Sequence, residues 1–241
     1  MITHAVIFAP LGQATRSEQV VERLSNAIVT GLLEANEQLP NESDLSKLMG
    51  VSHITIREAL NTLRARGLIQ TIRGRNGGSF VCDVPKNKKL DEHPLRSISS
   101  DYLADLGELH SAVMTHSAKL ATQRSTEQEL SKFKEFIDTF AQAERSEIKA
   151  QADMRCLLTI AAHAQSARLA NHELAIQAEW ASLVAMLYTS AHIHQQVVAY
   201  YLSIHQAMLQ GDAENAANQA SSMITMLTDC LIDQKFKLDN V

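Results

Sequence analysis

The chain of 241 residues has few of the features that mark secreted or membrane proteins. Its three cysteines, Cys82, Cys156 and Cys230, are odd in number, far apart and in no CxxC pair, which argues against a disulfide framework and predicts reduced thiols. No apolar run approaches the roughly 18 residues that a membrane-spanning helix needs. The first twelve residues lack the basic start and cleavage pattern of a secretory signal, so we expect a cytoplasmic protein.

Proline and glycine are scarce and lie mainly in the first part of the chain. All four prolines and seven of the nine glycines precede residue 97, and the later part is rich in Ala, Leu, Gln, Glu and Met. Because helix breakers are nearly absent there, residues 98–241 are predicted to form an all-α bundle of six or seven helices. The polar segment 85–97, which contains two prolines, is the predicted linker behind an N-terminal domain of residues 1–84.

Acidic residues predominate overall, but arginines cluster in the N-terminal part. The net charge is −5, whereas residues 1–96 carry 12 Lys and Arg against 10 Asp and Glu. Five arginines and one acidic residue, Glu58, fall within residues 51–81. A basic stripe in an otherwise acidic chain indicates a local surface for nucleic acid rather than a generally basic protein.

The N-terminal domain has the pattern of three helices followed by a β-hairpin. Apolar residues at helical spacing after Ser17 predict the first helix, and Asn41 and Ser52 are candidate caps of the second and third helices. The runs 68–72 and 79–81 are β-prone and enclose a turn rich in Gly and Asn. This order predicts a winged helix-turn-helix, whose third helix enters the major groove of DNA and whose hairpin reaches neighbouring backbone or the minor groove.

Residues 17–81 closely resemble the DNA-binding domain of the GntR family of bacterial transcription regulators. The shared motifs, in order, are Leu39-Pro40, Glu42, Leu45, Gly50-Val51-Ser52, Arg57-Glu58-Ala59-Leu60, Gly67-Leu68 and the glycine-containing wing. The resemblance implies that the start of the second helix, the third helix and the wing hold DNA. The candidate DNA-binding residues are therefore Asn41, Ser43, Ser52, His53, Thr55, Arg57, Arg73, Gly74 and Arg75.

Three of these candidates carry specific expectations. Arg57 is the best candidate for a bidentate contact with guanine or phosphate. Ser43 and His53 stand where family members commonly have arginine or a similar donor. Each good bidentate pair is worth about 1 to 3 kcal/mol of base discrimination. We therefore expect an operator with different base preferences, or weaker base readout.

The helical part resembles the ligand-binding domain of the FadR subgroup of that family, an FCD-type bundle that also dimerises. Its markers are Glu108-Leu109, the alanines at 118 and 121, Asp153, and the turn within residues 207–217. The resemblance implies a homodimer on double-stranded operator DNA and a small-molecule effector. We expect a sequence-specific regulator, most simply a repressor, whose DNA affinity the effector changes.

Many members of that subgroup hold a divalent metal through one Asp and three His. Here the pattern keeps Asp153 but places Leu157, Tyr201 and Met223 at the histidine positions. A lone carboxylate does not supply the three or four ligands that such ions need, so we expect no metal and no other cofactor. The expected effector is an organic acid or another metabolite, and the candidate effector-binding residues are His110, Met114, Asp153, Leu157, Tyr201, His205 and Met223.

Three alternatives remain open at the level of sequence. In the first, His110, Asp153 and His205 bind a metal ion that holds a small carboxylate. The second is a helical-bundle enzyme, but the chain contains no GxSxG, Walker, HExxH or dinucleotide-binding motif, so we expect no catalysis. The third is an architectural DNA-binding protein without an effector.

Overall fold

The computed structural model describes residues 16–74, 77–83, 95 and 98–239. The chain divides into two compact units near residue 88. The described part of the first unit contains three helices and a two-stranded antiparallel sheet, and the described part of the second is entirely helical. The predicted fold class, a winged helix-turn-helix plus an all-α bundle, is confirmed. None of the described helices combines the length and apolar character needed to cross a membrane.

The helices and strands of the first unit begin and end close to the predicted positions. They are α1 (Arg16–Val29), α2 (Glu42–Met49), α3 (His53–Ala65), β1 (Ile69–Ile72) and β2 (Gly78–Val81). The Asn41 side chain accepts a hydrogen bond from the backbone N–H of Asp44, and Ser52 accepts one from Thr55. Gly50 ends α2 with φ +66°, a left-handed conformation that glycine adopts without strain. These local caps set the short turn between α2 and α3.

A small apolar core holds the first unit together. Leu24, Leu45, Ile56 and Leu63 are completely or almost completely buried. Strand β1 pairs with β2 so that Ile69 lies opposite Val81 and contributes to this core. One face of α3 is therefore fixed on the core, and its opposite face remains available to solvent.

The second unit is a bundle of six described helices. They are α4 (Ser100–Arg124), α5 (Glu127–Gln142), α6 (Ser146–His163), α7 (Ala167–Leu187), α8 (Ala191–Leu209) and α9 (Ala213–Asp239). Its largest fully buried side chains are aromatic, namely Phe133, Phe140, Trp180, Tyr188 and Tyr201. The two phenols are the unusual members of this group, because their hydroxyl groups need polar partners in an apolar interior.

Helices α4 and α9 approach each other closely at Gly107. A Cβ atom on Gly107 would lie 2.4 Å from Oγ1 and 2.5 Å from Cγ2 of Thr228. The Thr228 hydroxyl also donates a hydrogen bond to the carbonyl oxygen of Ile224 at 2.8 Å, which fixes the orientation of that side chain. Glycine at this position therefore determines how near the two helices lie.

We predict that Gly107→Ala destabilises the helical unit although alanine is the better helix former. In a Thr228→Ala background the same substitution should cost less or become stabilising. The expected coupling free energy is about 1 kcal/mol or more, because the two side chains would share one space. Urea unfolding followed by the fluorescence of Trp180, the single tryptophan, measures it. Additive effects of the two substitutions would contradict the close approach.

Candidate functional site

The outward face of α3 presents the residues that the sequence singled out for DNA. Ser52, His53 and Arg57 are exposed, Thr55 is half-buried, and Ile56 is completely buried beneath them. The Ser52 hydroxyl oxygen accepts from the backbone N–H of Thr55 at 3.1 Å and lies 2.9 Å from the Thr55 hydroxyl oxygen. These hydroxyl groups stand together at the N-terminus of α3, where helix N–H groups favour an anion such as phosphate.

Arg57 is not isolated on this face, because it pairs with Glu42 at the start of α2. Its Nε and Nη2 donate to Oε2 of Glu42 at 3.2 and 3.0 Å. The Arg57 side chain is 64% exposed and the Glu42 side chain 37%, so the pair lies at the surface. The two helices of the helix-turn-helix are thus joined at their outer side. The sequence singled out Arg57 but did not predict Glu42 as its partner.

The other candidates at the start of α2 have structural contacts of their own. Asn41 is exposed, and its Nδ2 donates to the Asp44 carboxylate at 2.6 Å while its oxygen caps the helix. Ser43 is half-buried in the first turn of α2. Both residues lie near Glu42, so the beginning of α2 and the outer face of α3 form one continuous surface.

The wing depends on glycine geometry and on a contact with α3. Gly74 has φ +123°, and a Cβ atom on Gly77 would lie 2.4 Å from the carbonyl oxygen of Ile72. Arg73 is exposed, whereas Arg75 lies outside the described residues. Arg64 on α3 donates to the Thr71 hydroxyl on β1 at 3.0 Å. This bond fixes the hairpin relative to the helix and identifies a positioning role that the sequence did not reveal.

An apolar residue completes the outer face of α3. Ile54 is 69% exposed between His53 and Thr55, on the first turn of the helix. The Ile54 side chain lies outside the buried core of the described part of the first unit. An exposed apolar side chain on a recognition helix is of the kind that can contact the C5-methyl group of thymine in a major groove. The helical pattern could have revealed it, because Ile54 falls outside the stripe of core residues.

In the helical unit, the structure buries six of the seven predicted effector-binding residues. His110, Met114, Asp153, Leu157, Tyr201 and Met223 all have fully buried side chains. The Tyr201 hydroxyl donates to Oδ1 of Asp153 at 2.5 Å. Burial raises the pKa of Asp153 to about 6, and the hydrogen bond from Tyr201 opposes part of that rise. Burial also raises the pKa of Tyr201 well above its ordinary value, so this phenol stays protonated.

His205, the seventh predicted residue, has a different environment. It is half-buried, and its Nε2 donates to the carbonyl oxygen of Leu130 at 3.1 Å beside the ring of Phe133. A residue four positions after Tyr201 lies about 6 Å farther along the helix axis. That displacement brings His205 against α5, so the prediction that it lines the effector site gains no support from its contacts.

Three further residues of α7 belong with His110, and the sequence did not reveal them. Glu173 is fully buried; its Oε1 lies 3.1 Å from Nε2 of His110 and accepts from Nε2 of Gln177 at 2.7 Å. The ring of Trp180 meets the His110 ring edge to face, with centroids 4.6 Å apart. The available signal was a polar pair, Glu173 and Gln177, four residues apart in a largely apolar helix.

The donor atoms of this interior do not fit the metal that the family resemblance implies. Among the residues that the structure describes, no group of three or more His, Cys, Asp and Glu side chains is placed to hold an ion. The phenol of Tyr201 bonds Asp153 where the family pattern has a histidine. The alternative metal site of His110, Asp153 and His205 is equally unsupported. Nε2 of His110 pairs with Glu173, and Nε2 of His205 pairs with the carbonyl oxygen of Leu130.

Comparisons with known proteins match both units. The family model described as "Bacterial regulatory proteins, gntR family" matches residues 16–81, and the model of the FCD domain matches residues 105–225. A Mycobacterium gastri protein named as the HTH-type transcriptional regulator RmpR is 34% identical over 96% of this chain and 86% of its own length.

Two other similar proteins come from Escherichia coli. A regulator named for the L-lactate dehydrogenase operon is 27% identical over 83% of this chain and 80% of its own length. The solved structure of McbR/YncC has a TM-score of 0.54 at 17% identity, and the match covers 92% of this chain and 99% of that one. The similarity to McbR/YncC concerns the fold alone.

The raised pKa of Asp153 predicts a specific dependence of stability on pH. The folded protein holds this proton more tightly than the unfolded chain, so the resulting stability is present below the ordinary pKa of 3.8 and lost as pH rises through about 6. The difference is worth about 3 kcal/mol. Asp153→Asn should remove this component.

Urea unfolding followed by Trp180 fluorescence at several pH values measures the effect. Asp105→Asn, which changes an exposed carboxyl group on α4, is the matched control and should keep the wild-type pH dependence. Parallel stability curves for the wild type and Asp153→Asn would contradict the assignment.

Proposed function

Because the chain belongs to the gntR family of bacterial regulatory proteins and carries an FCD domain, we propose that it is a repressor in the cytoplasm whose operator affinity changes when a small-molecule effector binds the helical unit. It is a DNA-binding transcription regulator and not an enzyme, as predicted. Beyond that function we propose that the protein represses transcription, that specific residues of the first unit contact DNA, and that the effector binds without a metal ion.

The observation that carries the DNA-binding proposal is the outer face of α3. Its first turn joins an anion-binding N-terminus at Ser52, an imidazole at His53 and an apolar side chain at Ile54. Recognition helices of this motif insert their N-terminal residues into the major groove. We infer that Ser52 and Thr55 bind phosphate while His53 and Ile54 face base edges.

Arg57 would act together with Glu42. Since the carboxylate binds Nε and Nη2, it holds the guanidinium group between α2 and α3 before DNA arrives. Pre-ordering of a long side chain reduces the conformational entropy lost when it contacts DNA. Asn41 and Ser43 extend the same surface, and the wing residues Arg73 and Gly74 would contact the flanking backbone.

A homodimer would place two winged units on a two-fold-related operator. A single recognition helix reads only a few base pairs, whereas two helices on adjacent half-sites double the sequence that is read. Closed two-fold symmetry is the commonest arrangement of soluble oligomers. Effector binding would then act by changing the relative position of the two DNA-binding units.

The effector site is proposed in the interior of the helical unit, around the Asp153–Tyr201 and His110–Glu173 pairs. Ligand sites in helix bundles combine a mainly apolar lining with a few polar groups from facing helices. Met114, Leu157 and Met223 supply the apolar part of that lining. Tyr201 stands where the family pattern has a metal-ligating histidine, and its hydroxyl donates to Asp153 instead. A phenol–carboxyl pair in place of metal ligands supports a site that binds an organic molecule directly.

Arg57→Ala should weaken binding to the operator about tenfold or more. The operator is first obtained by selecting DNA from a random library with the purified protein, and affinity is measured by fluorescence anisotropy over a range of salt concentrations. Loss of a phosphate contact lowers the steepness of the plot of log affinity against log salt concentration by about one. Loss of a base contact instead relaxes the preference for particular DNA sequences.

Arg145→Ala is the matched control, since that arginine is 77% exposed at the start of α6 in the helical unit. Its operator affinity should equal that of the wild type. Wild-type affinity in Arg57→Ala would remove Arg57 from the binding surface.

Ile54 is expected to recognise thymine. Replacing the contacted thymine by uracil removes one methyl group and should reduce affinity about fourfold, as expected for roughly 0.8 kcal/mol of buried apolar surface. The Ile54→Ser variant should bind the thymine-containing and the uracil-containing operator with equal affinity. Leu48→Ser, which changes an exposed apolar residue of α2, should preserve the preference for thymine. Equal binding of both DNAs by the wild type would refute the contact.

A further inference from the structure

The segment that connects α1 with α2 runs along the wing and pairs with β2. Residues 36–39 lie on the edge of β2 that β1 does not cover, and Gln38 forms a β-bridge with Phe80. Three further backbone hydrogen bonds of 2.9 to 3.0 Å join the segment to β2: from Asn36 to Val81, from Val81 to Glu37 and from Leu39 to Ser79. The segment therefore extends the hairpin sideways, as a short third strand would.

Neighbouring residues of this segment point in opposite directions and have different contacts. The Leu39 side chain is 3% exposed and belongs to the core of the first unit. The Gln38 side chain is exposed, and its Nε2 donates to the carbonyl oxygen of Gly77 at 3.2 Å. The alternation of an extended chain thus anchors the segment through Leu39 and directs Gln38 to the wing.

Glycine at position 78 leaves the space that the Gln38 amide occupies. A Cβ atom on Gly78 would lie 2.6 Å from Nε2 of Gln38, so a side chain there would displace the amide. Gly78 belongs to strand β2, and its φ lies outside the left-handed region that favours glycine. The backbone at this position therefore admits alanine, and the Gln38 side chain is the group that alanine would meet.

Gly77 connects Gln38 with the part of the wing that is proposed to approach DNA. Its N–H donates to the carbonyl oxygen of Gly74 at 2.9 Å and closes the turn between β1 and β2, while its own carbonyl oxygen accepts from Gln38. Gly74, with φ +123°, is a candidate for close approach of the backbone to DNA. The bond from Arg64 holds the wing at Thr71 on β1, so Gln38 provides a separate anchor for the turn.

We propose that Gln38 is a positioning residue for DNA binding, which holds the turn of the wing in the orientation that contacts DNA. A two-stranded hairpin is only marginally stable by itself in water, so its turn depends on contacts from outside the hairpin. The inference rests on the proposed function, in which Arg73 and Gly74 contact the flanking backbone. Because an exposed hydrogen bond adds little to the stability of the fold, its loss should affect the wing and not the unit as a whole.

The test uses Gln38→Met, which keeps the length of the side chain and removes the donor. Operator affinity, measured by anisotropy, should fall about fivefold or more, since one net hydrogen bond corresponds to about a two- to tenfold change and the proposed dimer has two wings. Gln70→Met, which makes the same change at an exposed residue of β1 opposite Phe80, should bind like the wild type. Thermal unfolding of each variant checks that it is folded.

Hydroxyl-radical footprinting shows which part of the DNA contact is lost. Arg73→Ala identifies the backbone positions that the wing protects. Gln38→Met should lose protection at the same positions and keep it where α3 lies, a pattern that general destabilisation of the unit would not produce. Full protection and wild-type affinity in Gln38→Met, together with a loss in Arg73→Ala, overturn the role of Gln38 and leave the wing contact intact. If neither variant changes the footprint, the proposed wing contact is wrong as well.

Gly78→Ala gives a second measurement through the space that the amide occupies. In the wild type it should weaken operator binding by about the same factor as Gln38→Met, because the added methyl group displaces the amide. In a Gln38→Ala background it should cause no further loss, since the two positions share one contact. Equal losses in both backgrounds would show that the amide does not position the turn.

Discussion

The requirement that buried polar groups find hydrogen-bond partners determines the interior of the helical unit. Asp153 is stabilised there by Tyr201, and Glu173 by His110 and Gln177. Each pair links different helices or successive turns, so the polar contacts fix the relative rotation of helices that apolar packing alone would leave less defined. The same contacts leave Oδ2 of Asp153 and Oε2 of Glu173 without a hydrogen-bond partner among the described residues.

In the DNA-binding unit, hydrogen bonds at the surface also fix the positions of side chains and of the wing. Short-range caps at Asn41 and Ser52 set the turn between α2 and α3, and Glu42 and Arg64 then hold side chains and the wing in position. Individually these exposed contacts stabilise the fold by little. Their effect is to orient the groups that are proposed to meet DNA, so that this face of the unit is ordered before any DNA binds.

The fold was predictable because its signals are local. Scarcity of proline and glycine after residue 97 indicates long helices, and the caps mark the helix-turn-helix within a few residues. Partners across the fold were not predictable from one sequence. Glu173 lies 63 positions from His110 and Glu42 lies 15 positions from Arg57, and no spacing rule links them. The contacts of His205 were likewise not predictable from helical register, because its Nε2 bonds the carbonyl oxygen of Leu130 on α5.

The ion pair between Glu42 and Arg57 has a consequence for the search along chromosomal DNA. In the proposed function, a DNA acceptor that bound Arg57 through Nη1 would keep this pair, whereas one that took Nε and Nη2 from Glu42 would gain only the difference between its own contact and the pair it displaced. An exposed pair of this kind is worth about 0 to 1 kcal/mol, which lowers affinity up to about fivefold wherever the new contact is no better. Non-operator sites outnumber operators by several orders of magnitude. If Arg57 binds DNA as proposed, Glu42 would shorten the time that the protein spends on sites where the arginine finds no better acceptor, and the protein would resume its search sooner.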